Sequence, residues 1–121
     1  MGYGKDVQRE LRAPARDLRR AIPEVYEGFA KLHDAALTDG ALATKTKELI
    51  ALAIAVSQGC DGCIASHARG AARHGATVEE AAEAIGVAVL MTGGPGTVHG
   101  PRALASFKEF LGENTSPVKA A

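Results

Sequence analysis

Apolar residues recur every three to four positions along most of the chain, and no stretch alternates apolar and polar side chains as a strand does. In the first 21 residues the apolar positions are interrupted by Pro14, which predicts a short or kinked first helix. Pro23 suits the start of a second helix, expected from Glu24 to about Leu37 and stopped by Asp39-Gly40. Its apolar residues share one face: Val25, Phe29 and Leu32.

The most apolar segment lies in the middle of the chain, after Thr44 or Thr46, either of which is a suitable N-cap residue. Apart from Glu48 this third helix is apolar nearly all round, so we expect it to be central and buried, and to end at Gly59. Its large apolar residues are Leu49, Ile50, Leu52, Ile54 and Val56.

A fourth helix is predicted from around Cys60 or Asp61 to His74, with Gly75 as its terminating residue. Small residues along it permit close packing of another helix. Because the third helix needs cover on every side and the chain is short, we expect a symmetric homo-oligomer with small residues at a close-packed contact. The residues expected there are Ala68, Ala71 and Ala72.

Two more helices are predicted in the last third of the chain. Thr77 and Glu80 have the spacing of a capping box that starts a fifth helix, and the glycines and proline of residues 93–96 are expected to break it. A sixth helix is predicted from Pro101 to Leu111. Its expected inward residues are Leu104, Phe107, Phe110 and Leu111.

The pattern as a whole predicts an all-α fold of about six helices in one domain. Residues 1–21 read as an N-terminal helical arm, residues 22–112 as the domain, and residues 113–121 as a flexible tail.

Composition excludes several classes of function. The formal net charge is zero, only 4% of residues are aromatic and tryptophan is absent, so neither nucleic acid nor a membrane surface is an expected partner. The longest apolar run, residues 49–56, is far short of the ~20 residues of a membrane span.

No signal peptide is recognisable, which makes the cytoplasm the expected location. In that compartment a close cysteine pair is typically catalytic or metal-binding.

The chain's only two cysteines, Cys60 and Cys63, carry its most informative chemistry. His67 lies one helical turn beyond Cys63, and Glu48 comes from the neighbouring helix. A thiol becomes a good nucleophile when its pKa is lowered toward the thiolate. The group therefore predicts a thiol redox site in which Glu48 orients His67 and His67 moves protons.

Two effects favour different sulfurs as the nucleophile. The positive end of the fourth helix favours a thiolate at Cys60, whereas a nearby base favours Cys63. We prefer Cys63, since His67 can also move protons during turnover. The second sulfur would then attack the oxidised one and form an intramolecular disulfide.

A zinc site is the alternative, in which the two cysteines and His67 bind the metal together with Glu48 or His74. Structural zinc sites, however, usually draw on two separated ligand pairs, and here the cysteines have no second pair. We therefore predict no metal and no cofactor.

The spacing Glu48, Cys60-x-x-Cys63, His67 resembles the motif of the alkylhydroperoxidase D-like, or carboxymuconolactone decarboxylase-like, family. The resemblance covers roughly residues 22 to 111. It rests also on Lys47-Glu48-Leu49-Ile50-Ala51-Leu52-Ala53, Ala65-Ser66-His67-Ala68, Gly75-Ala76-Thr77 and Met91-Thr92-Gly93-Gly94-Pro95.

The resemblance implies an all-α fold built on a helical hairpin, assembly as a homotrimer or homohexamer, and reduction of hydroperoxides through a cysteine sulfenic acid. It implies Cys63 as the attacking cysteine, Cys60 as the resolving one, and Glu48 and His67 as the proton relay. The best-known peroxidases of the family have a histidine where this chain has Gly62, and they contain two copies of the helical unit.

We therefore expect a thiol peroxidase whose partners are a small hydroperoxide and a dithiol or protein reductant. A non-enzymatic dithiol/disulfide module is the alternative, and a decarboxylase-type activity on a small carboxylate is a third reading. His99 follows the glycine-rich turn, where it either lies near the thiol pocket or only caps the last helix.

Overall fold

The computed structural model describes residues 2–113, so the predicted tail lies outside it except for Glu113. These residues form six α-helices and no strand, which confirms the all-α prediction. The helices are α1 (Lys5–Ala21), α2 (Pro23–Leu37), α3 (Thr44–Gln58), α4 (Asp61–Arg73), α5 (Val78–Thr92) and α6 (Gly94–Glu113). None of them is long and apolar enough to cross a membrane.

Helices α3 to α6 pack together around the core, with α3 and α4 forming a hairpin. The prediction that Ala68, Ala71 and Ala72 lie at a contact between subunits is wrong, because all three are buried inside the single chain. Their small size lets the neighbouring helices approach α4 closely. The largest fully buried side chains are Phe107, Phe110, Leu52 and Ile64.

The start of α3 differs from the prediction that Thr44 or Thr46 caps it. Ala43 occupies the N-cap position without a side-chain bond, and Thr44 is the first helical residue. The carboxylate of Asp39 accepts the Thr44 backbone N–H at 2.7 Å, which satisfies one free donor of the helix end from five residues away. Gly59 ends α3 in the left-handed conformation, as predicted.

The surface of α3 is not covered on every side by its own chain. Leu52 and Val56 are fully buried, whereas Ile50 and Ile54 are 46% and 52% exposed. The exposed residues line a cavity of about 370 Å³ between α3 and α5 that has almost no polar surface. The expectation of a helix buried all round therefore fails for the isolated chain.

The junction of α5 and α6 corrects a boundary. The Thr77–Glu80 capping box is present, and Gly93 alone separates the two helices at φ 66°. Helix α6 begins at Gly94 instead of Pro101 and continues through Pro101. Packing of its buried face offsets the backbone hydrogen bond that a proline removes. Of the four residues expected to point inward, Leu111 is 37% exposed.

The two N-terminal helices are attached differently. Helix α1 runs for 17 residues through Pro14, so of the two alternatives, a short or a kinked helix, the short one is wrong. Its start is tied to α6, where Glu109 accepts the backbone N–H groups of Tyr3 and Lys5. Helix α2 begins at Pro23 and ends at Leu37 as predicted, but it has no buried residue.

Candidate active site

The two cysteines lie where the α3–α4 hairpin turns, and the structure joins them in a disulfide with Cα atoms 5.2 Å apart. This separation is ordinary for a disulfide. The local sequence explains the placement, because Gly59 takes the left-handed turn and Cys60 becomes the N-cap of α4. Cys63 follows in the first turn of the helix.

The surroundings of the two sulfurs differ. Sγ of Cys60 accepts the backbone N–H of Cys63 at 3.2 Å, which is the N-cap interaction of α4. Cys63 is exposed, whereas Cys60 is half-buried. The helix end therefore stabilises negative charge at Cys60, while an incoming molecule reaches Cys63 more easily.

Glu48 and His67 form the ion pair that the sequence predicted as a contact. Oε1 of Glu48 lies 2.7 Å from Nδ1 of His67, and the Glu48 side chain is only 7% exposed. When its carboxylate is ionised, Glu48 can only accept this hydrogen bond, which places a proton on Nδ1 and leaves Nε2 as the ring nitrogen that Glu48 does not hold. His67 lies four residues after Cys63, on the same face of α4.

Gly70, one of the small residues of α4, shapes the site by leaving room for Glu48. The carboxylate of Glu48 occupies the space where a Cβ on Gly70 would lie, so any larger residue would overlap it. Glycine at this position allows α3 to place its one buried acid directly against α4.

His33 is the site residue that sequence reasoning missed. It belongs to α2, and its ring is nearly parallel to that of His67, with centroids 6.1 Å apart and planes inclined by 17°. The motif contains no signal for it, because its position depends on how α2 lies over the α3–α4 hairpin.

The other two histidines lie at the edges of the site. Nδ1 of His74 bonds the carbonyl oxygen of Gly70 at 2.8 Å near the end of α4. His99 lies inside α6, so it does not cap that helix, and its Nε2 lies 2.8 Å from where a Cβ on Gly59 would be. It therefore packs against the residue that precedes Cys60.

Position 62 is covered by the N-terminal arm. A Cβ on Gly62 would meet Cδ1 of Leu11 in α1 at 2.9 Å. A histidine there, as in the best-known peroxidases of the resembled family, would require the Leu11 side chain to move. Within residues 2–113, no group of three or more His, Cys, Asp or Glu side chains is arranged to hold a metal ion.

Comparison with known proteins gives the same family from sequence and from structure. The family model of the carboxymuconolactone decarboxylase family matches residues 23–106. An uncharacterized protein from Cupriavidus necator is 43% identical over 90 residues, which cover 74% of this chain and 80% of that protein. A second relative, uncharacterized protein 4 in the cox locus of Paracoccus denitrificans, is 42% identical over 77% of this chain and 84% of its own length.

A solved structure agrees closely with the fold. The apo crystal structure of a carboxymuconolactone decarboxylase family protein from Legionella pneumophila superimposes with a TM-score of 0.78 at 43% identity. The match covers 90% of this chain and 94% of that one. The chain therefore belongs to the carboxymuconolactone decarboxylase family, with the all-helical fold of its members.

Proposed function

We propose that the protein is a thiol peroxidase that reduces small hydroperoxides, with Cys63 as the nucleophile and Cys60 as the resolving cysteine. One observation carries the proposal: buried Glu48 holds Nδ1 of His67 at 2.7 Å, one helical turn beyond an exposed Cys63. This arrangement leaves Nε2 of a fixed imidazole free to exchange protons beside a redox-active pair.

The first step oxidises Cys63. The Cys63 thiol gives its proton to Nε2 of His67. The resulting thiolate attacks the terminal oxygen of the hydroperoxide, the O–O bond breaks, and the sulfur becomes a sulfenic acid. The leaving alkoxide takes a proton from His67 and departs as an alcohol. Glu48 stabilises the positive charge that His67 carries before this transfer.

The second step forms the disulfide. The sulfur of Cys60 attacks the sulfenic sulfur of Cys63, and the S–O bond breaks. The leaving hydroxide takes up the proton of the Cys60 thiol and departs as water. A dithiol or a protein reductant then reopens the disulfide by exchange and takes the two oxidising equivalents. No cofactor enters this cycle, and a cytoplasmic setting would supply such reductants.

Several features support the assignment of the two sulfurs. Cys63 is the more exposed, and it shares a helix face with His67. Cys60 is half-buried and receives a backbone N–H, which suits the sulfur that attacks second. The assignment predicts that a sulfenic acid accumulates in Cys60→Ser and does not form in Cys63→Ser.

The test is hydroperoxide consumption by the reduced protein with an excess of dithiol, for wild type, Cys63→Ser and Cys60→Ser. Loss of turnover in Cys63→Ser, together with a sulfenic acid detected by mass spectrometry in Cys60→Ser, is the expected result. Undiminished turnover in Cys63→Ser would rule the mechanism out.

A dithiol/disulfide module without peroxidase activity is the second candidate, favoured by the disulfide that the structure holds. Reversible disulfide cycling with negligible hydroperoxide consumption would identify it. The Cys60→Ser, Cys63→Ser double variant distinguishes a decarboxylase from both of these candidates, because a decarboxylase-type activity would survive the loss of both cysteines.

A further inference from the structure

Helix α2 turns its apolar face outward, whereas an amphipathic surface helix usually turns that face toward the core. Its apolar residues Val25, Phe29 and Leu32 are 64%, 64% and 65% exposed. His33 is half-buried and lies on the side that meets the α3–α4 hairpin. A surface helix normally buries its apolar stripe, and α2 does not do so within its own chain, so burial of apolar surface inside the chain does not explain why His33 is turned toward the site.

The separation of the His33 and His67 rings suits a contact through one water. Because each ring nitrogen lies only about one bond length from its ring centre, centroids 6.1 Å apart place His33 and His67 too far apart for a direct bond. A single water molecule spans such a gap, and proton transfer through one water is an established mode of acid–base chemistry.

The surrounding cavities favour the same role for His33. Two clefts, of about 550 and 280 Å³, meet at this point, and both are lined by His33, Glu48 and His74. His67 lines neither cleft. Glu48 holds Nδ1 of His67, and of the two histidines that line both clefts it is His33 whose ring lies against that of His67.

The contacts of His33 on its own helix do not account for this placement. Its Nδ1 lies 3.6 Å from Oδ1 of Asp34, a residue whose side chain is 86% exposed. Its ring centroid is 6.3 Å from that of Phe29, which also faces outward. A weak pair with an exposed acid would be made equally well by a histidine turned toward solvent.

We propose that His33 is a positioning residue of the thiol site, which passes protons between His67 and the clefts. The inference rests on the proposed function. After His67 has given its proton to the leaving oxygen, a proton moves from His33 through one water to Nε2 of His67, and His33 takes a proton from the cleft water. One proton enters for each one delivered, and no redox partner is needed.

The experiment compares wild type with His33→Phe, which keeps a flat ring against His67 but removes both ring nitrogens. Turnover of hydroperoxide is measured at low buffer concentration and then with added imidazole. We expect His33→Phe to lose about tenfold, which is less than the roughly 10²–10⁴-fold of a direct acid or base because His33 acts through His67, and to recover when imidazole is added. Wild type should change little, as should Lys31→Gln, a control on α2 that lies two positions from His33 and so on a different face, with a side chain that is 80% exposed.

A second reaction separates this inference from the proposed function. Reduction of the Cys60–Cys63 disulfide by dithiothreitol needs proton transfer but no peroxide, and it is measured on the same three proteins. A loss in His33→Phe that imidazole restores supports the role of His33, even if wild type consumes no hydroperoxide. Equal rates for His33→Phe and wild type at low buffer would overturn it. A loss that imidazole does not restore would also overturn it, because it indicates a packing role.

Discussion

Helices α3 to α6, which together form the four-helix body, and helix α2 hold their parts of the site by different means. In the body, α3 and α4 press Glu48 and His67 together between fully buried side chains such as Leu52 and Ile64. Helix α2 buries no residue completely, yet it places His33 beside His67. The body therefore sets the ion pair by packing, whereas few contacts determine where His33 lies.

This difference separates stability from chemistry. Changes in the body should affect folding and the ion pair together, since the same packed surfaces support both. Removal of side chains on α2 should leave the free energy of unfolding nearly constant and should change proton transfer or assembly instead. Matched substitutions in the two regions test this expectation.

The largest contrast should come from a pair of phenylalanines. Phe107→Ala removes a fully buried ring and should lower the free energy of unfolding by about 3–5 kcal/mol. Phe29→Ala removes a ring that is 64% exposed and should cost less than about 0.5 kcal/mol at low protein concentration. Urea denaturation followed by circular dichroism measures both, and similar losses would contradict the division into two regions.

Two helical glycines should shift stability in opposite directions. Gly70→Ala forces a Cβ into the Glu48 carboxylate and should destabilise by about 1–3 kcal/mol while lowering turnover. Gly28→Ala in α2 meets nothing within 4 Å and should stabilise by up to about 1 kcal/mol, because alanine favours helix over glycine. The same denaturation series checks both signs, and a neutral Gly70→Ala would mean that the carboxylate moves aside without cost.

Assembly as a homotrimer or homohexamer stays a prediction, and the exposed apolar surfaces suggest where contacts form. We propose that the outward face of α2 and the α3–α5 cavity are covered in the oligomer. Phe29→Glu should then shift the mass found by light scattering toward the monomer, whereas Lys31→Gln should not. A wild-type monomer at micromolar concentration would contradict the assembly.

The smallest expected effect lies at the junction of the two regions and depends on pH. The Thr44 backbone N–H holds the pKa of Asp39 below its ordinary value of about 3.9. A lowered pKa means that Asp39 contributes stability above about pH 4, and that this contribution is lost as the pH falls through the folded-state pKa. Asp39→Asn keeps an accepting oxygen, so it should flatten the acid side of the stability profile slightly. The pKa values of Asp6 and Glu80 are lowered as well, so part of the slope should remain.

Local rules were sufficient for most helix ends. Gly59 and the Thr77–Glu80 box mark boundaries because a left-handed turn and a reciprocal cap each depend on neighbouring residues alone. They failed at α6, where Pro95 was predicted to be part of a break and Pro101 to be the first residue of the helix. Pro95 lies at the start of α6, where proline is tolerated. Pro101 lies inside the helix, where the packing of residues further along offsets the backbone hydrogen bond that it removes.

By itself, the sequence determined the fold class, the family motif and the contact between Glu48 and His67, since helical periodicity and motif spacing are local properties of the chain. Only the tertiary structure decided that Ala68, Ala71 and Ala72 lie inside the core of the single chain. It also decided that Asp39 accepts the Thr44 N–H at the start of α3, and that His33 of α2 lies against His67. These outcomes depend on which surfaces meet after folding, and contacts between residues far apart in sequence determine which surfaces meet.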